Sequence, residues 1–146
     1  MEELLQLKEY IETERYHDAL LLIGEMEEMA KEDKISKVHS YCVVLLIHLI
    51  KRHAEKHSTA SWDVSVRNSL KHIARTNKRK HSGGYYLKDA ALMEELLDAF
   101  DEALQVASLQ AFGGVYSPME LLQRFSQEDV LKEALTMIIE RQDSLK

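Results

Sequence analysis

The stretch that most constrains this chain is Tyr41 to Lys51, YCVVLLIHLIK. From Cys42 to Ile50 every residue except His48 is apolar. A helix that is apolar on all sides has to be buried on all sides, in a protein core or in a membrane. A bilayer needs about 20 such residues, and this run is far shorter. The run therefore predicts the central helix of an all-α domain, wrapped by other helices. His48 is the one polar group inside it, so either chemistry or a buried hydrogen bond has to account for it.

The rest of the chain agrees with a helical reading. It holds one proline and five glycines in 146 residues, so helix breakers are scarce. Alanine, leucine, glutamate and lysine dominate, and all four are good helix formers. A chain of this length can bury roughly 70% of its unfolded surface without disulfides. The expectation is an all-α fold in a single domain spanning residues 1–146: a six- to seven-helix bundle around a buried central helix at about residues 34–56. The only cysteine, Cys42, lies in the apolar run, which points to an inert buried thiol in a reducing compartment. The acidic opening MEELLQLKEYIE has no basic and apolar signal-peptide regions, so the cytoplasm is expected.

Periodicity places the elements. Leu4, Leu7 and Ile11 mark a first helix, and Ala19, Leu22, Ile23, Met26 and Ala30 mark a second from Asp18 to about Lys31. Asp33 is a candidate N-cap for the central helix. Ser61 is a candidate cap for a helix carrying Trp62, Val66, Leu70 and Ile73. Ser82-Gly83-Gly84 breaks that helix, and the two tyrosines that follow are expected to pack over a core edge. A long amphipathic helix runs from about Asp89 to Ala111 and stops at Gly113-Gly114. Ser117-Pro118 opens a short helix and Ser126 the last one. The closing RQDSLK is expected to fray.

Charge is strongly segregated. Residues 1–50 carry five Lys/Arg against eleven Asp/Glu, residues 51–81 nine against two, and residues 82–146 five against twelve. Arg67, Lys71, Arg75, Lys78, Arg79 and Lys80 form a basic stripe on one helix and its C-terminal end. Such a stripe is a candidate nucleic-acid surface. It equally suits the acidic helices of this chain or of a second copy, and the overall charge of −6 favours the protein partner.

The motifs of well-known chemistries are missing. There is no G-x-S-x-G, Walker loop or dinucleotide fingerprint, and no cofactor is expected. Glu25 and Glu28 share a helical face and, with His48 on an adjacent antiparallel helix, would supply part of a metal or catalytic site. No Glu-x-x-His accompanies them, so a hydrogen-bonded buried histidine is the favoured reading. His53 and His57 stand at a metal-compatible spacing but on a polar helix end, which favours solvated surface.

In combination these residues resemble a known family. EMEEMAKEDKISKVHSYCVVLLIHLIKR followed by SWDVSVRNSLKHI is similar to the Domain of Unknown Function 29 family, mostly cyanobacterial. The matching positions are Glu25, Glu28, His48, Lys51, Ser61, Trp62 and Arg67. This chain differs in having Arg52 where many members carry tryptophan. The resemblance implies an all-helical bundle in a bacterial cytosol and supplies no activity. It directs attention to Glu25, Glu28, His48, Lys51, Trp62 and Arg67, as either a polar network that fixes helix register or a site. The resulting expectation is a protein-interaction or regulatory module with a protein partner or a second copy. Nucleic-acid binding is the alternative, an enzyme or metal protein the second alternative, and no membrane contact is expected.

Overall fold

The computed structural model describes residues 2–80 and 83–145. The described residues form six α-helices and no β-strand: α1 (Glu2–Glu12), α2 (Tyr16–Glu55), α3 (Ala60–Asn77), α4 (Asp89–Gln110), α5 (Pro118–Leu122) and α6 (Gln127–Asp143). A 3-10 turn at Ala111–Gly114 follows α4. The fold is all-α, as the composition predicts. Its residues fall into two compact units, Met1–Lys34 and Ile35–Lys146.

The predicted boundary near Asp33 does not occur, because α2 is continuous from Tyr16 to Glu55. No glycine or proline lies between residues 25 and 55. Alanine, lysine and glutamate carry the helix through the polar stretch, since one aspartate with a capping preference does not outweigh a run of good helix formers. The helix is bounded instead by left-handed residues, Glu14 (φ 60°) before it and Lys56 (φ 58°) after it.

The first unit is thinly packed. Arg15 pairs with Asp18 at 2.8 Å and lies 4.6 Å over the Tyr10 ring, which fixes the turn between α1 and α2. Ala19 and Leu22 are buried there, but α1 buries none of its residues.

The second unit holds the main core. Val38, Cys42, Leu45, Leu46, Leu49 and Ile50 of α2 are buried together with Val66 and Ile73 of α3. Leu92, Leu96, Ala99, Phe100 and Ala103 of α4, Leu121 of α5, and Val130, Ala134 and Ile138 of α6 complete it. The apolar run is not buried on every side. Val44 is 39% exposed, and His48, one turn later, is half-buried on the same face.

Caps terminate the remaining helices. Thr59, not Ser61, caps α3, accepting the Trp62 N–H at 3.1 Å. Ser117 and Glu120 form a capping box on α5, and Ser126 accepts the Asp129 N–H at 3.2 Å. Phe112, Gly113 and Gly114 all have positive φ, which turns the chain sharply after α4. Helix α6 runs to Asp143, three residues into the closing segment RQDSLK. Gln142 is buried and accepts a 2.8 Å hydrogen bond from Asn77, which holds the end of α6 in place.

Candidate functional site

The cap on Thr59 sets where the indole of Trp62 points. Trp62 lies 4.8 Å under the Lys51 ammonium, and the His57 ring stacks on it at 5.3 Å with an 18° interplanar angle. Lys51 is only 5% exposed and donates to Gln110 Oε1 at 2.8 Å. An indole face attracts a cation electrostatically, more strongly where water is excluded. Burial pushes the Lys51 ammonium below its ordinary range, and the carboxylate of Glu55 works against that shift.

Glu55 extends the cluster. It contacts His57 Nε2 at 3.2 Å and accepts the backbone N–H of Phe112 at 3.3 Å. Phe112 is one of the left-handed residues after α4. Arg124 covers this turn, 3.9 Å over the Tyr116 ring and 5.7 Å over Phe112. One small region therefore joins the end of α2, the start of α3 and the turn after α4.

His48 belongs to the neighbouring turn of α2. Its Nδ1–H donates to the Val44 carbonyl at 2.9 Å. Burial lowers the pKa of its ring below the ordinary value of 6.5, the Val44 bond opposes this, and the Lys51 charge adds to it. Of the six residues singled out by sequence, Lys51 and Trp62 are in contact. Arg67 is exposed on α3. Glu25 and Glu28 are exposed in the first unit, on α2 itself and not on a preceding antiparallel helix. The hairpin that would have set them opposite His48 is not formed, for the helix-propensity reason given above.

The basic stripe is open. Arg67 and Arg75 are exposed on α3 and Lys71 is half-buried, while Lys78, Arg79 and Lys80 follow in the exposed turn. Among the described residues, the side chains of Arg67, Lys71, Arg75, Lys78 and Lys80 make no ion pair or hydrogen bond. Arg79 lies 5.4 Å over the Tyr86 ring. The residues on either side of the turn are tied to the core. Asn77, fully buried, donates to the Leu87 carbonyl at 2.9 Å and accepts the Leu87 N–H at 2.8 Å. Lys78 pairs antiparallel with Tyr85, whose hydroxyl donates to the Gln142 carbonyl at 3.1 Å.

Sequence reasoning missed the residues that complete these contacts. Gln110, Glu55 and Asn77 carry no local motif, because each acts on a group that is distant in sequence or in another element. The histidines of α2 are similar: His39 meets Glu95 of α4 at 2.7 Å, and His53 meets Glu133 of α6. A surface groove of the second unit, about 550 Å³, is lined by Met93, Gln127, Glu128, Leu131 and Lys132, none of them a sequence candidate. No helix among the described residues is long and apolar enough to cross a membrane.

A family model described as "Domain of unknown function DUF29" matches residues 3–136, and the chain belongs to that family. No curated protein and no solved structure matches it.

Proposed function

We propose that this DUF29 chain is a protein-interaction module that associates with a second copy of itself through its N-terminal unit. The observation that carries this reading is the apolar surface left open there. Leu4, Leu5, Ile11, Tyr16, Leu20, Leu21, Ile23 and Met29 are all exposed. Apolar patches of this kind on a small helical unit mark contact surfaces. Covering them is worth about 25 cal/mol per Å² removed from water.

Charge selects the occupant. Residues 1–34 carry eleven Asp/Glu against four Lys/Arg, so two such units repel one another. The complementary surface is the open stripe of Arg67, Lys71, Arg75, Lys78, Arg79 and Lys80, which the same chain supplies. The N-terminal unit of one copy against α3 of another satisfies the charge requirement. Sedimentation equilibrium of the full chain tests this. A dimer that dissociates in the Leu20→Glu, Leu21→Glu double variant, and weakens on charge reversal at Lys78–Lys80, is the expected result. A wild-type chain that stays monomeric at every accessible concentration overturns it.

The unpaired cations also favour a second reading, binding of a nucleic-acid backbone. It predicts steeply salt-dependent binding that is lost on the same charge reversal. Absence of any mobility shift with single- or double-stranded RNA and DNA at low salt ends that reading. The third reading, a metal or catalytic site at Glu25, Glu28 and His48, rested on the antiparallel hairpin and has no observation left in its favour.

A further inference from the structure

We propose that His39, Glu95 and Asp98 form a binding site for a divalent transition-metal ion such as Zn²⁺. The three residues come from two helices. His39 is on α2, and Glu95 and Asp98 stand three apart on one face of α4. One ligand atom from each lies within 4.8 Å of the other two. His39 Nδ1 already meets Glu95 Oε1 at 2.7 Å, and Glu102, one further turn along α4, brings Oε2 to 3.9 Å from His39 Nε2. Asp98 has no hydrogen-bond or ion-pair partner among the described residues.

The donor set fits the chemistry. Zn²⁺ takes imidazole nitrogen and carboxylate oxygen at about 2.0–2.2 Å, which in a tetrahedron separates neighbouring ligand atoms by roughly 3.5 Å. Loading the ion requires the exposed Asp98 side chain to swing inward and the 2.7 Å His39–Glu95 hydrogen bond to open as the ring proton is displaced. His39 and Glu95 are held more firmly, with side chains 30% and 18% exposed. Two anchored ligands and one mobile one leave the ion an open side, where water completes its shell. Three carboxylates around one imidazole also form a concentrated negative field that a dication neutralises. The site shares no residue with the N-terminal apolar surface or with the basic stripe, so it is independent of the self-association reading.

Titration calorimetry of the full, tag-free chain with ZnCl₂ tests it, with visible absorption of Co²⁺-loaded protein as a second readout. The expected result is saturable binding of a single ion and a d–d spectrum of low coordination number. Asp98→Asn and Glu95→Gln each weaken binding by roughly tenfold or more, while His53→Gln leaves it unchanged. Asp98 is exposed, so its variant keeps the fold and the comparison stays readable. No saturable binding, affinity untouched by both carboxylate variants, or binding lost in His53→Gln would each overturn the assignment.

Discussion

Asn77 and Gln142 lie 65 residues apart and share a 2.8 Å hydrogen bond inside the second unit. The same Asn77 side chain brackets Leu87 with one bond to its carbonyl and one from its N–H. A single amide thus ties the end of α3, the turn after it and the end of α6. Asn77→Ala leaves a buried N–H, a buried carbonyl and a buried amide without partners, and each unmet group costs about 1–3 kcal/mol. The expected loss of stability is about 3 kcal/mol in urea unfolding, with Gln142→Ala costing distinctly less. Equal costs for the two variants would show that Leu87 is not the main beneficiary.

Lys51 separates packing from charge. Lys51→Met keeps the stem over the Trp62 indole and removes a buried ammonium, whose desolvation offsets much of its attraction to the ring. Its stability should stay within about 1 kcal/mol of wild type. Lys51→Ala opens a cavity beside Trp62 and should cost about 2 kcal/mol or more. Trp62 is the sole tryptophan, so its emission follows both unfolding and local exposure. If the methionine variant proves as unstable as the alanine variant, the charge carries the contact.

The His48 ring has a folded pKa below its ordinary 6.5, set first by burial. Such a group binds fewer protons when folded than when unfolded. Its penalty is absent above pH 6.5 and grows as pH falls through the folded pKa. The wild-type urea midpoint should drop on acidification from pH 6.5, and His48→Gln should flatten that drop. An identical slope in both proteins would assign the acid sensitivity elsewhere.

Burial, with a smaller contribution from the Glu95 charge, pushes the Cys42 thiol up to about 12. At neutral pH almost no thiolate is present, and no surface is open to attack. Ellman's reagent should leave the native protein unmodified and titrate one thiol once denaturant is added. Rapid reaction in the native state would contradict the burial.

Gly114 has φ +81°, and a Cβ there would stand 2.9 Å from the Leu109 carbonyl oxygen. Gly114→Ala combines that clash with left-handed strain and should cost about 2 kcal/mol. Gly113→Ala meets open space and pays only for its φ of +67°, so it should cost less. Thermal melting of the two variants gives the ranking.

The helical core was legible from the sequence because its signals are local. The 3.6-residue spacing marked α4 and α6, and Ser117-Pro118 and Ser126 marked the starts of α5 and α6 correctly. The boundary at Asp33 was misread because a capping residue inside a run of strong helix formers is a weak stop. The cap of α3 fell on Thr59 and not Ser61 because both are good caps and only the bond to Trp62 chooses between them. Lys51 and Trp62 were singled out and do meet. Their supporting partners Gln110 and Glu55, like the carboxylates facing His39 and His53, are products of packing that no spacing announces.

The strip of Val44 and His48 is the outward side of a helix that otherwise forms the heart of the second unit. A molecule settling on those two residues touches, without entering the core, the same helix that Leu45, Leu46 and Leu49 anchor from within. A ligand that bound this strip in the folded state alone would stabilise the whole unit by mass action. The helix that reads as most secluded in the sequence thus keeps one side at the surface.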